Sequence, residues 1–398
     1  MAWLPNPSIE IEGVNYNSET VWGVQITYGK SDPTEAFRPA YATATLLSDA
    51  NGLDISILDD CFIYLDNTTG PQTVFHGKVS DITLELVADD FAEITLTIMS
   101  PLAKLAHRQV GDSGYPASLD GERIAAILAE ATDIIWTEAG GTWLTQVGDW
   151  EDIENLVATI DAGDYELALY NSGAGNTLDL IGIAELSGLG HLTENTQGQI
   201  GYQSAGARMT AASAGFTEFQ ANDIIISGLS SELTTANLRN ETIVSDNGGT
   251  THTGQNITSI QTYGRVTYDV TTWLKNGTFA QLWADRDVAL FSWPRAYING
   301  FKTRLSAIDS TQVDSLIGLT MGEPVRIVGL PPVIASDPYS GFVEGWSWTI
   351  DRLDAEISIY VSDYALSIVS QEWKNVQTTY KWNTINPALI WKTLEVIY

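Results

Sequence analysis

Apolar and polar residues alternate through most of the first hundred positions, and the same alternation returns near the other end of the chain in almost the same order. ILDDCFIYL (Ile57–Leu65) is followed by VFHGKVSDI (Val74–Ile82) and AEITLTIMSPL (Ala92–Leu102). LTMGEPVRI (Leu319–Ile327) is followed by GFVEGWSWTI (Gly341–Ile350) and AEISIYVSDYAL (Ala355–Leu366). A period of two is what a strand buried on one face requires. Ile94, Leu96 and Ile98 therefore share a face opposite Thr95 and Thr97, and each copy reads as a small antiparallel sheet. By spacing, Ile57, Ile63 and Leu65 correspond to Leu319, Val325 and Ile327, and Gly77 corresponds to Gly345. The apolar parity slips between Val79 and Ile82, which predicts a bulge near Ser80 and Asp81. Trp348 and Ile350 are predicted to face a core.

Before the first copy, IEIEGV (Ile9–Val14), VWGVQITYG (Val21–Gly29) and AYATATLL (Ala40–Leu47) read as strands. DANGLD (Asp49–Asp54) reads as a turn, since it lacks the ligand spacing and closing Glu of a calcium loop. From Arg108 the texture changes. Ser118 and Asp120 offer cap oxygens to a helix carrying Ile124, Ile127, Leu128 and Ala131, and a strand pair follows at WTEAGGTWLTQV and YELALYN. A second helix spans Thr177–Leu186, with Thr177 as cap and Gly188 and Gly190 as its stop. HLTENTQGQIGYQ (His191–Gln203) reads as a hairpin turning at Asn195–Gly198. Strands resume at DIIISGL (Asp223–Leu229), ETIVSD (Glu241–Asp246) and RVTYDV (Arg265–Val270), with a helix over Thr278–Phe291 that exits before Pro294. AYINGFKTRLSAI (Ala296–Ile308) leads into the second copy.

These elements predict a β-rich α+β protein built from two related antiparallel β-barrel domains with an inserted α+β domain. The boundaries fall at 1–107 for the first barrel, 108–220 for the insertion and 221–369 for the second barrel. A tail, 370–398, carries Trp373, Trp382 and Trp391 among polar residues. Such tryptophans either fold back onto the domain or anchor a partner.

The 398 residues include 19 Lys and Arg against 50 Asp and Glu, a formal charge of −31. That balance argues against gripping nucleic-acid phosphate without regard to sequence, which needs clustered cations. The single cysteine, Cys61, lies in an apolar strand pattern and reads as a buried thiol, so no intrachain disulfide forms. No N-terminal segment reads as an export signal, and no apolar run approaches bilayer-spanning length, so no stable membrane insertion is expected. Catalytic signatures do not assemble. His76, His107, His191 and His252 are scattered and make no i, i+4 pair around a Glu. There is no nucleophile elbow or phosphate loop, and Gly173 and Gly175 are too few for a dinucleotide fingerprint. His76, inside a strand, reads as a hydrogen-bonded residue. No catalytic, cofactor-binding or metal residue is nominated, and a non-enzymatic chain without cofactor is expected.

The order of these elements resembles the baseplate and tail-tip hub proteins of tailed bacteriophages. FHGKVSDI with AEITLTIMSPL, the helix GERIAAILAEA, TLDLIGIAEL with its hairpin, and GEPVRIVG before GFVEGWSWTI carry the resemblance across residues 5–366. It implies a virion protein at the distal end of the tail, a homotrimeric ring of six barrels that matches a sixfold tail tube to a threefold spike or fibre. The implied partners are the distal tail protein ring, the tape-measure protein and the central fibre or spike, with no sequence-specific binding of nucleic acid. The chain ends about thirty residues after the second copy, so an appended lytic domain is not expected. An acidic ring would also keep DNA from adhering during passage. Two other readings stand beside this one: a hexameric distal tail protein, which needs only one barrel per chain, and a carbohydrate-binding adhesin module using Trp382 or Trp391.

Overall fold

The computed structural model describes residues 5–364 apart from 18–19, 32–34, 36, 50–53, 89–90, 133–156, 172, 225–228, 230, 234, 295, 299 and 332–337. The tail tryptophans, the stretch WTEAGGTWLTQV and most of DIIISGL therefore lie outside the described residues, as does part of DANGLD.

The predicted β-rich α+β class is what the structure shows. The two β units, however, are not separate closed barrels. They share one twelve-stranded sheet. From one edge it runs Thr217–Gln220, Pro324–Val328, Tyr339–Asp351, Val21–Gly29, Tyr41–Asp49, Phe91–Met99, Gly70–Ala88, Asp60–Asn67, Ser8–Ile11 and Val14–Tyr16. Ala355–Asp363 covers the other side of Tyr339–Asp351 and itself pairs with Gly300–Arg304. The pairings are antiparallel except Thr217–Gln220 on Pro324–Val328, which is parallel. The sheet is continuous because the second long strand (Tyr339–Asp351) outruns its partner Pro324–Val328. Its far half, Gly345–Asp351, takes Val21–Gly29 from the first unit instead.

The repeat is present in the pairing, in a register that differs from the spacing of the letters. Leu96 of Ala-Glu-Ile-Thr-Leu pairs with Ile82, and Ile359 of Ala-Glu-Ile-Ser-Ile pairs with Trp346, so Ile82 occupies the place of Trp346. Both long strands then skip one residue at the same point. The first, Gly70–Ala88, shifts register between Val79 and Asp81, and the second between Val343 and Gly345. Ser80 and Glu344 are thus equivalent bulge residues, and the bulge predicted near Ser80 is found. Gly77 corresponds to Gly341, not to Gly345. Both are glycine for one reason: a Cβ would lie 2.5 Å from the Met99 carbonyl oxygen at Gly77 and 2.2 Å from the Ser362 carbonyl oxygen at Gly341. Because Cys61 faces Gly77 and Val325 faces Gly341, Ile63 corresponds to Ile327, so the Leu65 to Ile327 match is also displaced.

Two cores result. One lies under the sheet and includes Ile9, Ile26, Leu46, Ile63, Leu96, Trp346 and Trp348, with Val313 and Leu316 from the helix Ser310–Ile317. The other joins the helices Asp120–Ala131 and Thr177–Gly188 to the hairpin His191–Glu194/Ile200–Gln203. It also takes Val244, Val270, Trp273, Leu274 and Trp283. The segment Glu241–Phe291 therefore packs against the inserted body although it lies beyond residue 220. Its hold is specific: Trp273 N–H donates to Ser187 Oγ at 2.9 Å, Trp283 Nε1 donates to the Leu186 carbonyl at 3.1 Å, and the Arg123 guanidinium lies 5.7 Å from the Trp273 ring centre.

The predicted helices form with different caps. Asn176, not Thr177, caps the second, its side chain accepting from Leu178 N–H at 2.9 Å, and the left-handed Leu189 ends it rather than glycine. Ser118 lies in a short strand. Asp120 is the first residue of its helix and is fully buried, accepting from Asp164 and Tyr165 N–H and from the Tyr202 hydroxyl.

Candidate functional site

Two features of the described residues are candidates for function. One holds the inserted body on the sheet, and the other leaves part of the sheet uncovered.

The first is a buried polar junction. A bulge turns the extra residue out of the ladder, and at the second bulge that residue is Glu344. Its carboxylate accepts from Arg208 Nη2 at 2.7 Å and from the Ser362 hydroxyl, and His191 Nδ1 lies 3.5 Å away. Arg208 comes from the helix Ala205–Ala214, is fully buried, and sits 4.4 Å over the Phe342 ring. Nearby, Lys30 Nζ donates to Glu185 at 2.7 Å, and Lys30 N–H donates to the Glu344 carbonyl at 3.0 Å. Glu185 also accepts from Leu192 N–H. The junction thus ties both β units to the insertion through side chains that burial would otherwise penalise.

Electrostatics follow from that burial. Desolvation opposes the charged Glu344, but Arg208, with the Ser362 hydroxyl and Lys30, outweighs it and holds the carboxyl down at about 2. Burial, with Arg208 close by, pushes the His191 imidazole well below its ordinary value, so it is neutral. Glu194 accepts from Ala40 N–H at 3.0 Å, and burial raises its carboxyl to about 7 from an ordinary 4.5.

Glu194 makes a pH prediction. A raised folded-state value stabilises fully below 4.5, and that stabilisation is lost as pH rises through about 7. Glu194→Gln keeps an acceptor for Ala40 N–H and removes the titration. Between pH 5 and 9 the native chain is expected to lose up to ~3 kcal/mol that the variant retains. Denaturant unfolding at pH 5, 7 and 9 and constant ionic strength checks this; parallel pH profiles would refute it.

The histidines are structural in their contacts. His76 bridges Asp60 at 3.0 Å and the Gln197 carbonyl at 2.7 Å and stacks on Phe62, which fastens the hairpin tip to the first unit. His252 lies 3.2 Å from Asp246. His107 N–H donates to the Lys104 carbonyl. Cys61 is buried, and burial raises its thiol far above the ordinary value. The described residues contain no cluster of three metal-ligating side chains. None of the junction residues was singled out from sequence. The available signal was a charge inside an apolar strand, Glu344 in GFVEGWSW.

The second feature is an open edge. Beyond its bulge, the first long strand pairs on one side with Phe91–Met99 and, among the described residues, with nothing on the other. Its core-face row continues past the covered sheet. Leu84 and Leu86 are 67% and 68% exposed, although Ile94, which Leu84 faces, is buried. Val87 and Phe91 are exposed beside them.

Two solved tail proteins share this fold. The 43 kDa tail protein of prophage MuSo2 from Shewanella oneidensis matches with a TM-score of 0.60 at 11% identity, covering 92% of this chain and 100% of its own. The tail protein from Neisseria meningitidis MC58 matches with a TM-score of 0.63 at 12% identity, covering 92% and 98%. No family model and no curated protein matches the chain. At such identity the likeness is one of fold, and it spans nearly the whole of all three chains.

Proposed function

We propose that this chain is a structural protein of a bacteriophage tail: the hub that closes the distal end of the tail tube as a homotrimeric ring. Each chain contributes two related β units, so three chains present six units around the axis and join a sixfold tube to a threefold spike or fibre. The observation that carries this reading is the internal repeat, which shares its pairing register, its bulge and its constrained glycine. The fold held in common with phage tail proteins supports it.

In this reading the β units build the ring. The inserted body, residues 108–220 together with Glu241–Phe291, is held on the ring by the Glu344 junction. The tape-measure protein, the distal tail protein ring and the central fibre or spike are its neighbours, and no catalytic step is required of it. A hexameric distal tail protein needs one unit per chain, and the doubled unit argues against it. Electron microscopy of the purified protein in negative stain, with native mass spectrometry, tests the proposal. A threefold ring with six lobes is expected, and a true sixfold ring would overturn it.

A further inference from the structure

The inserted body is attached to the two β units by contacts of different chemistry. To the second unit it is held by the ion pair of Arg208 with Glu344, a full charge on each side. To the first it is held through its hairpin, at two points. At the tip, the His76 ring of the first unit has an acceptor at each nitrogen: the Gln197 carbonyl oxygen lies 2.7 Å from Nδ1 and the Asp60 carboxylate 3.0 Å from Nε2. A neutral imidazole carries one N–H and can serve only one of them, whereas the imidazolium serves both. The fit is close here, since a Cβ on Gly198 of the tip would lie 2.9 Å from Pro101 Cδ and 3.2 Å from His76 Nδ1.

The second point is Glu194, the last strand residue before the turn. It caps the end of the ladder between Tyr41–Asp49 and Phe91–Met99: its Oε2 accepts from Ala40 N–H at 3.0 Å, and the Ala40 carbonyl accepts from Ser100 N–H. Its other oxygen, Oε1, is sealed from solvent and has no hydrogen-bond partner among the described residues. A carboxylate bare on one oxygen in a dry site is costly, and a proton removes that cost with the charge. The groups facing Glu194 are the Tyr28 hydroxyl from Val21–Gly29, the Ser100 hydroxyl, the Met321 sulfur and His76. Tyr28 is kept neutral by burial and by Glu194 itself. Among the described residues no Lys or Arg acts on Glu194, and His76 is its one titratable cation. Asp60 and Lys78 stand at the other ring nitrogen of His76.

We propose that two protons latch the inserted body to the first β unit, one on His76 and one on Glu194, and that their loss as pH rises releases the hairpin from that unit while Arg208 and Glu344 hold the body to the second. Both groups act in the same direction. Burial opposes the charged imidazole, but the bonds to Asp60 and the Gln197 carbonyl outweigh it and lift its value above the ordinary 6.5. Its contribution is complete below 6.5 and is lost as pH rises through the folded-state value. That of Glu194, raised by burial, is complete below 4.5 and is lost as pH rises through about 7. His76 gives up its charge in the same range, so no cation remains to balance the ionised Glu194. The Glu344 attachment has the opposite sign: it is complete above 4.5 and weakens only as pH falls toward 2. One contact is therefore fixed and the other releasable over the same pH range, which is what a hinged body needs. The inference stands apart from the ring reading, because it uses only contacts within one chain.

Hydrogen exchange of the full chain tests this, because exchange reports local opening. It is read residue by residue by mass spectrometry from pH 5.5 to 8.5 at constant ionic strength, each rate divided by the intrinsic rate at that pH. The Ala40 amide, which donates to Glu194, and the Glu194 amide, 3.4 Å from Met321 Sδ, report the latch. The Lys30 amide, bonded to the Glu344 carbonyl, and the Arg208 amide, bonded to the Ser204 carbonyl, report the other attachment. A proton released on opening shifts the equilibrium about tenfold per pH unit between the closed and open values. Opening at Ala40 and Glu194 is therefore expected to rise by more than about tenfold across the range, while Lys30 and Arg208 stay level. Glu194→Gln keeps an acceptor for Ala40 and should remove most of the rise; with His76→Gln added, the profile should be flat. A flat profile at Ala40 and Glu194 in the native chain overturns the latch without recourse to any variant. A parallel rise at all four amides also overturns it, since that marks loss of the whole fold, and so does a rise that survives in the double variant.

Discussion

Arg208→Ala is expected to destabilise the fold by about 3–5 kcal/mol, the largest loss of any single substitution at the junction. Arg208 is fully buried, and its guanidinium lies 2.7 Å from the Glu344 carboxylate. Removing it strands a buried carboxylate whose remaining cation, Lys30, is engaged with Glu185. The neutral His191 cannot replace it. The loss should be largest where Glu344 is ionised. Its folded-state value, held down at about 2, means that the stabilisation is present above its ordinary 4.5 and disappears as pH falls toward 2. Adding Glu344→Gln to Arg208→Ala should recover part of the loss, because the orphaned charge goes with it. Urea unfolding of the single and double variants at pH 7 and pH 4 measures both effects. A single-variant loss below 1 kcal/mol would remove the junction as the fastening of the inserted body.

Trp348→Ala is expected to cost about 3–5 kcal/mol by opening a cavity in the sheet core. Trp348 is 3% exposed, faces Ile357 on one side and Ile26 on the other, and so stands where the two units meet. Its counterpart in the first unit, Leu84, occupies the same position on an equivalent strand and is two-thirds exposed. Leu84→Ala should therefore leave the stability of the single chain within about 0.5 kcal/mol of native. The contrast separates intrinsic strand position from burial. Thermal and urea unfolding of both variants below the concentration of association would show it, and equal losses would contradict the two environments.

Particular residues show why some of this was legible in the letters. The repeat could be read because burial on one face imposes a period of two, and Ala-Glu-Ile-Thr-Leu and Ala-Glu-Ile-Ser-Ile satisfy it in the same way. The bulge at Ser80 could be read because it breaks that period locally. The register could not, because a strand carries no mark of which residue lies opposite. Gly77 was set against Gly345 by spacing. It belongs with Gly341, because the equivalence of Leu96 and Ile359 sets Val79 level with Val343, and each glycine stands two residues before that position. Caps failed for a related reason. Asn176 and Thr177 are both capable, and the path of the chain into the helix selects between them.

The sequence by itself determined that the chain is β-rich with helices, that two stretches repeat one strand pattern, and which faces of Phe91–Met99 and Ala355–Asp363 are apolar. These are local properties, set by the alternation of side chains along a strand. Only the tertiary structure decided that the two units share one sheet, that Glu241–Phe291 joins the inserted body, that Arg208 meets Glu344, and that the Leu84 row is bare where the Trp348 row is covered. Each of those depends on pairings between residues far apart in the chain. Long-range partners are chosen by how whole surfaces fit, and no single segment contains that information.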